Sequence, residues 1–582
     1  MTKKAECPHL FRKIVRRVPG KAVDDWPETV TPLLRRVYAA RAVESANELD
    51  YSLANLEQPG LLGGLDAAVD LLEQALREQQ RIVVIGDFDA DGATSTALCL
   101  RALRAMGGRD LRYLVPNRFE FGYGLTPEIV VVAAGLQPDL IMTVDNGISS
   151  IAGVEAARQQ GIRVLITDHH LPGTVLPPAD AIVNPNSPGD EFPSKNLAGV
   201  GVAFYVMLAL RTRLRQRGWF GQQGIREPNL GHLLDLVALG TVADVVPLDR
   251  NNRILVQHGI QRIRSGQCVP GIRALLAVGR RDAARAVSTD LAFAVGPRLN
   301  AAGRLEDMSL GIECLLTDSE AGAREMAARL DALNRDRKEI ESDMQTRALQ
   351  SIQELHLDAQ GLPTGLCLFD PGWHQGVIGI LAARIKEQFH RPVIAFARVG
   401  DGELKGSARS IPGFHIRDAL DAVAAHHPEL ITRFGGHAMA AGLTLDEAHY
   451  PAFAEAFDTE ASRLLSGADL NHTIHSDGEL QPEEFSLETA QILREAGPWG
   501  QGFPAPLFDG RFRLISQRVV GERHLKLVLA PLDGGGQIDA IAFNTSALPG
   551  SCREVLAAYQ LDVNEYRGMS SAQLMVEYIE AV

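Results

Sequence analysis

Four short stretches place metal-capable side chains directly after apolar runs. "RIVVIGDFDADG" delivers Asp87, Asp89 and Asp91, and "LIMTVDNG" delivers Asp145. "VLITDHHLP" delivers Asp168, His169 and His170, and "LVALGTVADVVPL" delivers Asp244. Carboxylates crowded into one crevice repel each other unless cations neutralise them. A mixed carboxylate and imidazole set suits Mn2+ or Mg2+ better than a soft metal. Two ions about 3.5–4 Å apart, sharing one carboxylate, would use all the ligands and leave room for water. Such a pair lowers the pKa of bound water and stabilises both oxygens of an in-line phosphoryl displacement. A lone Asp at a strand end is ordinarily a helix N-cap. Asp91, followed by Gly92, is the member of the set best suited to a turn or cap. The fourfold recurrence, each time after an apolar run read as a strand, is what argues for chemistry.

These side chains need a scaffold that gathers them. From about Leu61 the chain alternates strand-like runs ("RIVVIGD", "LRYLVP", "PDLIMTVDNG", "IRVLITDHH", "ADAIVNPN") with helix-like segments. That alternation predicts a parallel sheet covered on both faces, with the strand ends lining one edge. Glu320–Leu355 lacks Pro and repeats Met326, Leu330, Leu333, Ile340 and Met344 at helical spacing, so a long charged helix is expected to link two lobes. A second α/β region follows from about Thr364 to Leu445. From about Asn471, short alternating strands such as "HLKLVLA" suggest a small β-barrel or sandwich.

Composition narrows the class. The chain has 582 residues, 46% hydrophobic and 22% charged, as expected of a multidomain globular protein. The basic N-terminus lacks an apolar signal core, no apolar run is long enough to span a membrane, and the six cysteines form no CxxC pair. A cytoplasmic protein with reduced thiols is expected. The net charge of −14 argues weakly against nucleic acid, but bound cations would offset catalytic carboxylates and a local basic groove can persist under a negative total. No GxxxxGK[ST] occurs, so ATP use is not expected.

The quoted motifs resemble those of the DHH phosphoesterase superfamily. "GDFDADGATSTAL", "TVDNGIS", "TDHHLP" and "GTVADVVPL", with "GPRLNAAGRL", "WHQGVIGILAARI" and "RFGGHAMAAG", resemble specifically the RecJ single-strand-specific exonucleases, from about Leu61 to the C-terminus. The resemblance implies an α/β fold: a parallel-sheet DHH domain (61–315) after an N-terminal extension (1–60), joined by a linking helix (316–357) to a smaller α/β DHH-associated domain (358–462). A C-terminal OB-like barrel (463–582) completes it. By position, Asp87, Asp89, Asp145, His169 and Asp244 would hold two divalent ions, Mn2+ or Mg2+, with Asp145 bridging. His170 would lie near the scissile phosphate. Asp168 would orient a ligand from behind, with Asp91 beside it. The strand "RIVVIG" has no histidine where many superfamily members place one before the first motif.

The resemblance also implies DNA or phosphate contacts for Arg298, Asn300, Arg304, Ser407, Arg409 and His437, with Arg118 for the terminal 5′-phosphate. His374 and Gln375 would line the cleft or pack under it. Trp499, Phe503 and Phe508 would either stack bases on the barrel or fill its core or the domain interface, with Arg518 and Lys526 available to meet phosphates. The implied activity is 5′→3′ degradation of single-stranded DNA to mononucleotides in repair and recombination, in a cleft too narrow for a duplex. A helicase and a single-strand-binding protein are the implied partners of a monomer. A small-substrate phosphoesterase and a non-catalytic DNA-binding relative are the rivals; the barrel argues against the first and the retained ligands against the second.

Overall fold

The computed structural model describes residues 13–20, 26–117, 124–355, 362–400, 402–466, 469–470, 472–521, 524–566 and 568–582. They form two compact units, one holding Arg16–Asn334 and Ser476–Val582, the other Arg335–His475 together with residues 13–15. Arg118 lies outside the described residues.

The first unit is built on a parallel five-stranded sheet. Its strands are β1 (Ile82–Gly86), β2 (Leu111–Leu114), β3 (Leu140–Val144), β4 (Arg163–Thr167) and β5 (Ala181–Val183), in the order β2-β1-β3-β4-β5. Strands β1 and β3 are buried at every position, which explains their unbroken apolar sequence. Helix α1 (Ala90–Ala105) follows β1. Helix α2 (Gly199–Gln216) and helix α3 (Leu234–Ala243) pack on α1. Helix α4 (Gly296–Leu305) follows a π-helical turn, Leu291–Val295.

One expectation is corrected here. The run before Asp244 is helix α3, not a strand. All nine residues from Leu234 to Val242 are buried, so the helix has no polar face and its sequence shows no helical period.

Helix α5 (Glu320–Leu355) is the long helix the spacing predicts. The second unit carries β6 (Leu366–Phe369), helix α6 (Ile378–Phe389), β7 (Val393–Arg398), β8 (Glu403–Arg409), β9 (Arg433–Gly436) and β10 (Ala440–Asp446). They form a mixed sheet in the order β9-β10-β8-β7-β6.

The C-terminal region, in the first unit, is a closed barrel of β11 (Phe508–Val520), β12 (His524–Pro531), β13 (Ile538–Ala542), β14 (Glu554–Tyr566) and β15 (Met569–Ala581). Strands β11, β14 and β15 run 13 residues each, longer than the short strands expected. Among the described residues, no helix is long and apolar enough to cross a membrane.

Candidate metal and catalytic centre

The parallel ladder continues one residue past its strands and so fixes where the acidic side chains start. Asp145 N donates to Thr167 O at 3.0 Å, and Asp168 N to Val183 O at 3.1 Å. Asp145 then turns with φ +62°, a left-handed conformation that Asp tolerates better than most residues. Asn146 braces the turn by donating to Ile85 O and Val144 O, at 3.1 and 2.9 Å. Asp89 caps α1 and accepts from Asp91 N and Gly92 N through Oδ1. Gly92 is required there: a Cβ would meet the backbone of Asp87 at 2.4 Å.

Asp87, Asp89 and Asp145 offer oxygens within 4.8 Å of one another. His169 Nε2 stands 3.1 Å from Asp145 Oδ1 and 3.5 Å from Asp244 Oδ2. Asp145 therefore belongs both to the carboxylate group and to a second group with His169 and His170. Asp244 ends α3, at the negative end of a helix, where a cation is favoured. The five expected ligands thus converge.

The electrostatics describe a site with too much negative charge. Burial, then Asp91, Asp89, Asp244 and Asp87, hold the Asp145 carboxyl well above the usual carboxylate range. Burial and Asp89 push Asp244 up to about 7. Hard oxygen donors crowded beside an imidazole, with Asp145 and Asp244 raised by burial and by neighbouring carboxylates, fit divalent cations.

Asp91 is buried and does cap a helix, though not its own. Its Oδ2 accepts from Gly199 N at 2.6 Å and its Oδ1 from Val200 N at 3.0 Å, at the start of α2. Burial, with Asp244 and Asp89, still raises it well above the usual range. Asp168 is fully buried and orients His170: its Oδ1 lies 2.7 Å from His170 Nδ1, and it reaches His169 through the backbone N–H at 2.7 Å. Burial opposes the charge on His170, but the Asp168 hydrogen bond and the nearby carboxylates raise it to about 9.

Comparison with known proteins now bears on this geometry. Residues 81–241 match the DHH family, N-terminal domain, 362–463 the DHHA1 domain and 476–578 the RecJ OB domain. The single-stranded-DNA-specific exonuclease RecJ of Dickeya dadantii is 58% identical over 568 residues, 97% of this chain and 98% of that protein. The Escherichia coli protein of the same name is 57% identical over the same shares. The chain belongs to the RecJ family. RecJ of Thermus thermophilus in complex with Mn2+ matches with a TM-score of 0.78 at 32% identity, covering 98% of this chain and 80% of that one. Its complex with Mg2+ matches at 0.74 and 31%, covering 98% and 79%.

Other expected contacts in this RecJ-family chain divide. Trp499 is not a base platform. It is 6% exposed, stacks on Phe503 and donates its indole N–H to Leu493 O at 2.8 Å. Phe503 and Phe508 are buried as well. These rings fill the core because the segment after α3 and the barrel need apolar packing where they meet. Arg298 donates to Asp331 Oδ1 at 2.9 and 2.7 Å, which draws its guanidinium into an ion pair. Asn300 Oδ1 accepts from Ala90 N at 2.8 Å, so it positions the first acidic loop. Arg304 lies in the last turn of α4.

In the second unit, Ser407 and Arg409 alternate on one face of β8, with Arg409 Nη1 donating to Ser407 Oγ at 3.2 Å. Gly379, in the first turn of α6, approaches so closely that a Cβ would lie 2.9 Å from Ser407 Oγ and from Arg409 Nη2. A hydroxyl and a guanidinium beside a helix N-terminus can take a phosphate. His437 is exposed at the β9–β10 turn, and His374 Nδ1 accepts from Gly376 N.

Sequence reasoning missed Gly199, whose added Cβ would stand 2.6 Å from Asp145 Cβ, and the amides of Asn184 and Asn186, which hold the His169–His170 turn. "NPN" reads as a turn signal, and only the fold shows what its amides touch.

Proposed function

We propose that this RecJ-family chain is a metal-dependent exonuclease that degrades single-stranded DNA from the 5′ end to mononucleotides, in DNA repair and recombination. The observation that carries the reading is the convergence of Asp87, Asp89, Asp145, His169 and Asp244 on one sheet edge. They would hold two divalent ions, with Asp145 shared, and the relatives solved with Mn2+ and Mg2+ support that choice. Bound there, such cations supply activated water and charge stabilisation for phosphodiester hydrolysis.

The chain's own groups do the rest. His170 keeps Nδ1 on Asp168 and offers Nε2 to a phosphate or leaving oxygen. Asp91 and Asn300 fix the loop that carries Asp87 and Asp89. Ser407 and Arg409 bind a strand phosphate, with His437 near, and Arg304 and Arg298 serve the reacting region. On the barrel, we take the base contacts to lie on residues other than the buried Trp499, and strand register supports one face for them. Arg518 pairs with Lys526 and Val520 with His524, and inward Leu525 is fully buried. Arg518, Lys526 and His524 therefore share the outer face. The His524 ring packs edge-on against half-exposed Phe543 at 5.0 Å. Exposed aromatic and cationic groups on one face suit a single strand. A cytoplasmic monomer working with a helicase and a single-strand-binding protein completes the reading.

The test uses single strands labelled at the 5′ or the 3′ end, a blunt duplex, and Mn2+ or Mg2+. Immediate release of the 5′ label as mononucleotide, with the duplex intact, is expected. Early release of the 3′ label would reverse the polarity, and faster cleavage of a dinucleotide than of long strands would point to a small substrate.

A further inference from the structure

The backbone carbonyls of His169 and His170 are both taken by side-chain amides. Asn186 Nδ2 donates to His169 O at 2.7 Å, and Asn184 Nδ2 donates to His170 O at 2.8 Å. Both asparagines belong to "NPN", which leaves β5 beside the strand carrying the histidines. They are tied to each other, because Asn186 N donates to Asn184 Oδ1 at 2.8 Å. Asn184 is 1% exposed.

The loop behind them is closed. Lys195 Nζ donates to Pro185 O and Asp190 O, each at 2.7 Å, and to Asp190 Oδ1 at 3.1 Å. Asp190 also accepts from Phe192 N at 2.9 Å and from Gly63 N at 2.7 Å. A side-chain amide held this firmly presents its N–H in a fixed plane. It fixes the peptide group whose oxygen it binds, and with it the direction in which that residue's side chain leaves the backbone.

Two imidazoles depend on those directions. Their ring centroids are 4.4 Å apart. His170 is set twice, by Asp168 at its ring and by Asn184 at its carbonyl. His169 is held at its N–H by Asp168 and at its carbonyl by Asn186, and its Nε2 meets Asp145 and Asp244.

We propose that Asn184 and Asn186 are positioning residues that hold the His169–His170 turn, so that the 184–195 loop sets the affinity of the adjoining site for divalent cations. This rests on reading the carboxylate–imidazole cluster as a cation site. Partners behind a ligating side chain typically change metal affinity by about 10–100-fold.

The experiment titrates Mn2+ calorimetrically into chelator-stripped full-length protein and records the melting temperature without metal. The variants are Asn184→Ala, Asn186→Ala, Asn186→Asp and Asn196→Ala. Asn186→Asp keeps the size but loses the donor. Asn196 directly follows that loop, and its amide donates to Asp249 at 3.2 Å rather than to a histidine carbonyl. The expected result is Mn2+ affinity about 10–100-fold weaker in the first three, retained in Asn196→Ala, with similar metal-free melting temperatures throughout. Single-strand cleavage by Asn186→Ala should recover when Mn2+ is raised. Wild-type affinity in the Asn184 and Asn186 variants overturns the proposal, and so does an equal loss in Asn196→Ala, which would mean general loop stability. If wild type binds Mn2+ while the variants match it, only this inference fails. If stripped wild type binds none, the cation-site reading fails and takes the inference with it.

Discussion

Asp145 joins the carboxylate group to the imidazole pair, so its loss should cost both halves of the site. Asp145→Ala should lower single-strand cleavage on the order of 10⁴-fold, the scale seen when one member of a catalytic unit is removed. A gel assay of labelled strands at saturating Mn2+ checks this. The same substitution should raise the melting temperature of the metal-free protein, since it removes a carboxylate whose charged form burial and four neighbouring acids disfavour. The pH dependence follows from the same repulsion. Asp145 and Asp244 are raised in the folded chain, Asp244 to about 7, so the folded protein keeps protons that the unfolded chain releases near pH ~4. That stability is fully present below the unfolded value and is lost as pH rises through the folded values. Metal-free protein should therefore melt lower at pH 8 than at pH 6. Protons and cations compete for these oxygens, so Mn2+ should raise the melting temperature more at pH 8 than at pH 6. Calorimetry at the two pH values decides it, and a larger Mn2+ effect at pH 6 would contradict the assignment.

At the scale of elements, the site depends on how closely helix α2 approaches the end of β3. A Cβ on residue 199 would lie 2.6 Å from Asp145 Cβ and 2.8 Å from its Cα. Gly199→Ala should cost about 1–3 kcal/mol, as overpacking of a tight contact does, and should weaken Mn2+ binding because Asp145 is the residue displaced. Denaturant unfolding and metal titration of the one variant measure both. Such contacts explain which parts of the site can be read in the sequence. Asp87, Asp145 and Asp168 are legible because a parallel strand writes its burial as an unbroken apolar run and its end as the first acid. Asp244 is legible as a residue but not as an element, since a helix buried all round carries no period that separates it from a strand. Gly199, Asn184 and Asn186 are not legible. Their roles exist only where two segments far apart in sequence meet. Trp499 misleads for a related reason: an aromatic ring suits a core as well as a nucleobase, and here its N–H already serves Leu493 O.

At the scale of the molecule, a net charge of −14 coexists with a basic barrel face. Arg518 and Lys526 stand directly opposite each other on β11 and β12, a pairing of like charges that costs stability unless an anion answers it. Asp539 answers Lys526 at 3.1 Å, while Arg518 is exposed. On the proposed reading, the barrel would hold the phosphate chain and the sheet edge would cut it. The two jobs should separate on mutation. Arg518→Ala with Lys526→Ala should weaken single-strand binding at low salt and flatten the log–log salt dependence by about 1.4, near 0.7 per lost phosphate contact. Phe543→Ala should weaken binding by about 1–3 kcal/mol, the range for one stacked base, with little change in salt slope. None of the three residues lies in the carboxylate cluster, so turnover of a saturating short strand should stay near wild type while degradation of long strands becomes less processive. Fluorescence anisotropy across a salt series, beside single-turnover cleavage, measures both quantities. Equal loss of turnover on short and long strands would place these side chains in the chemistry instead, and unchanged affinity would move the strand's path to another face of the barrel.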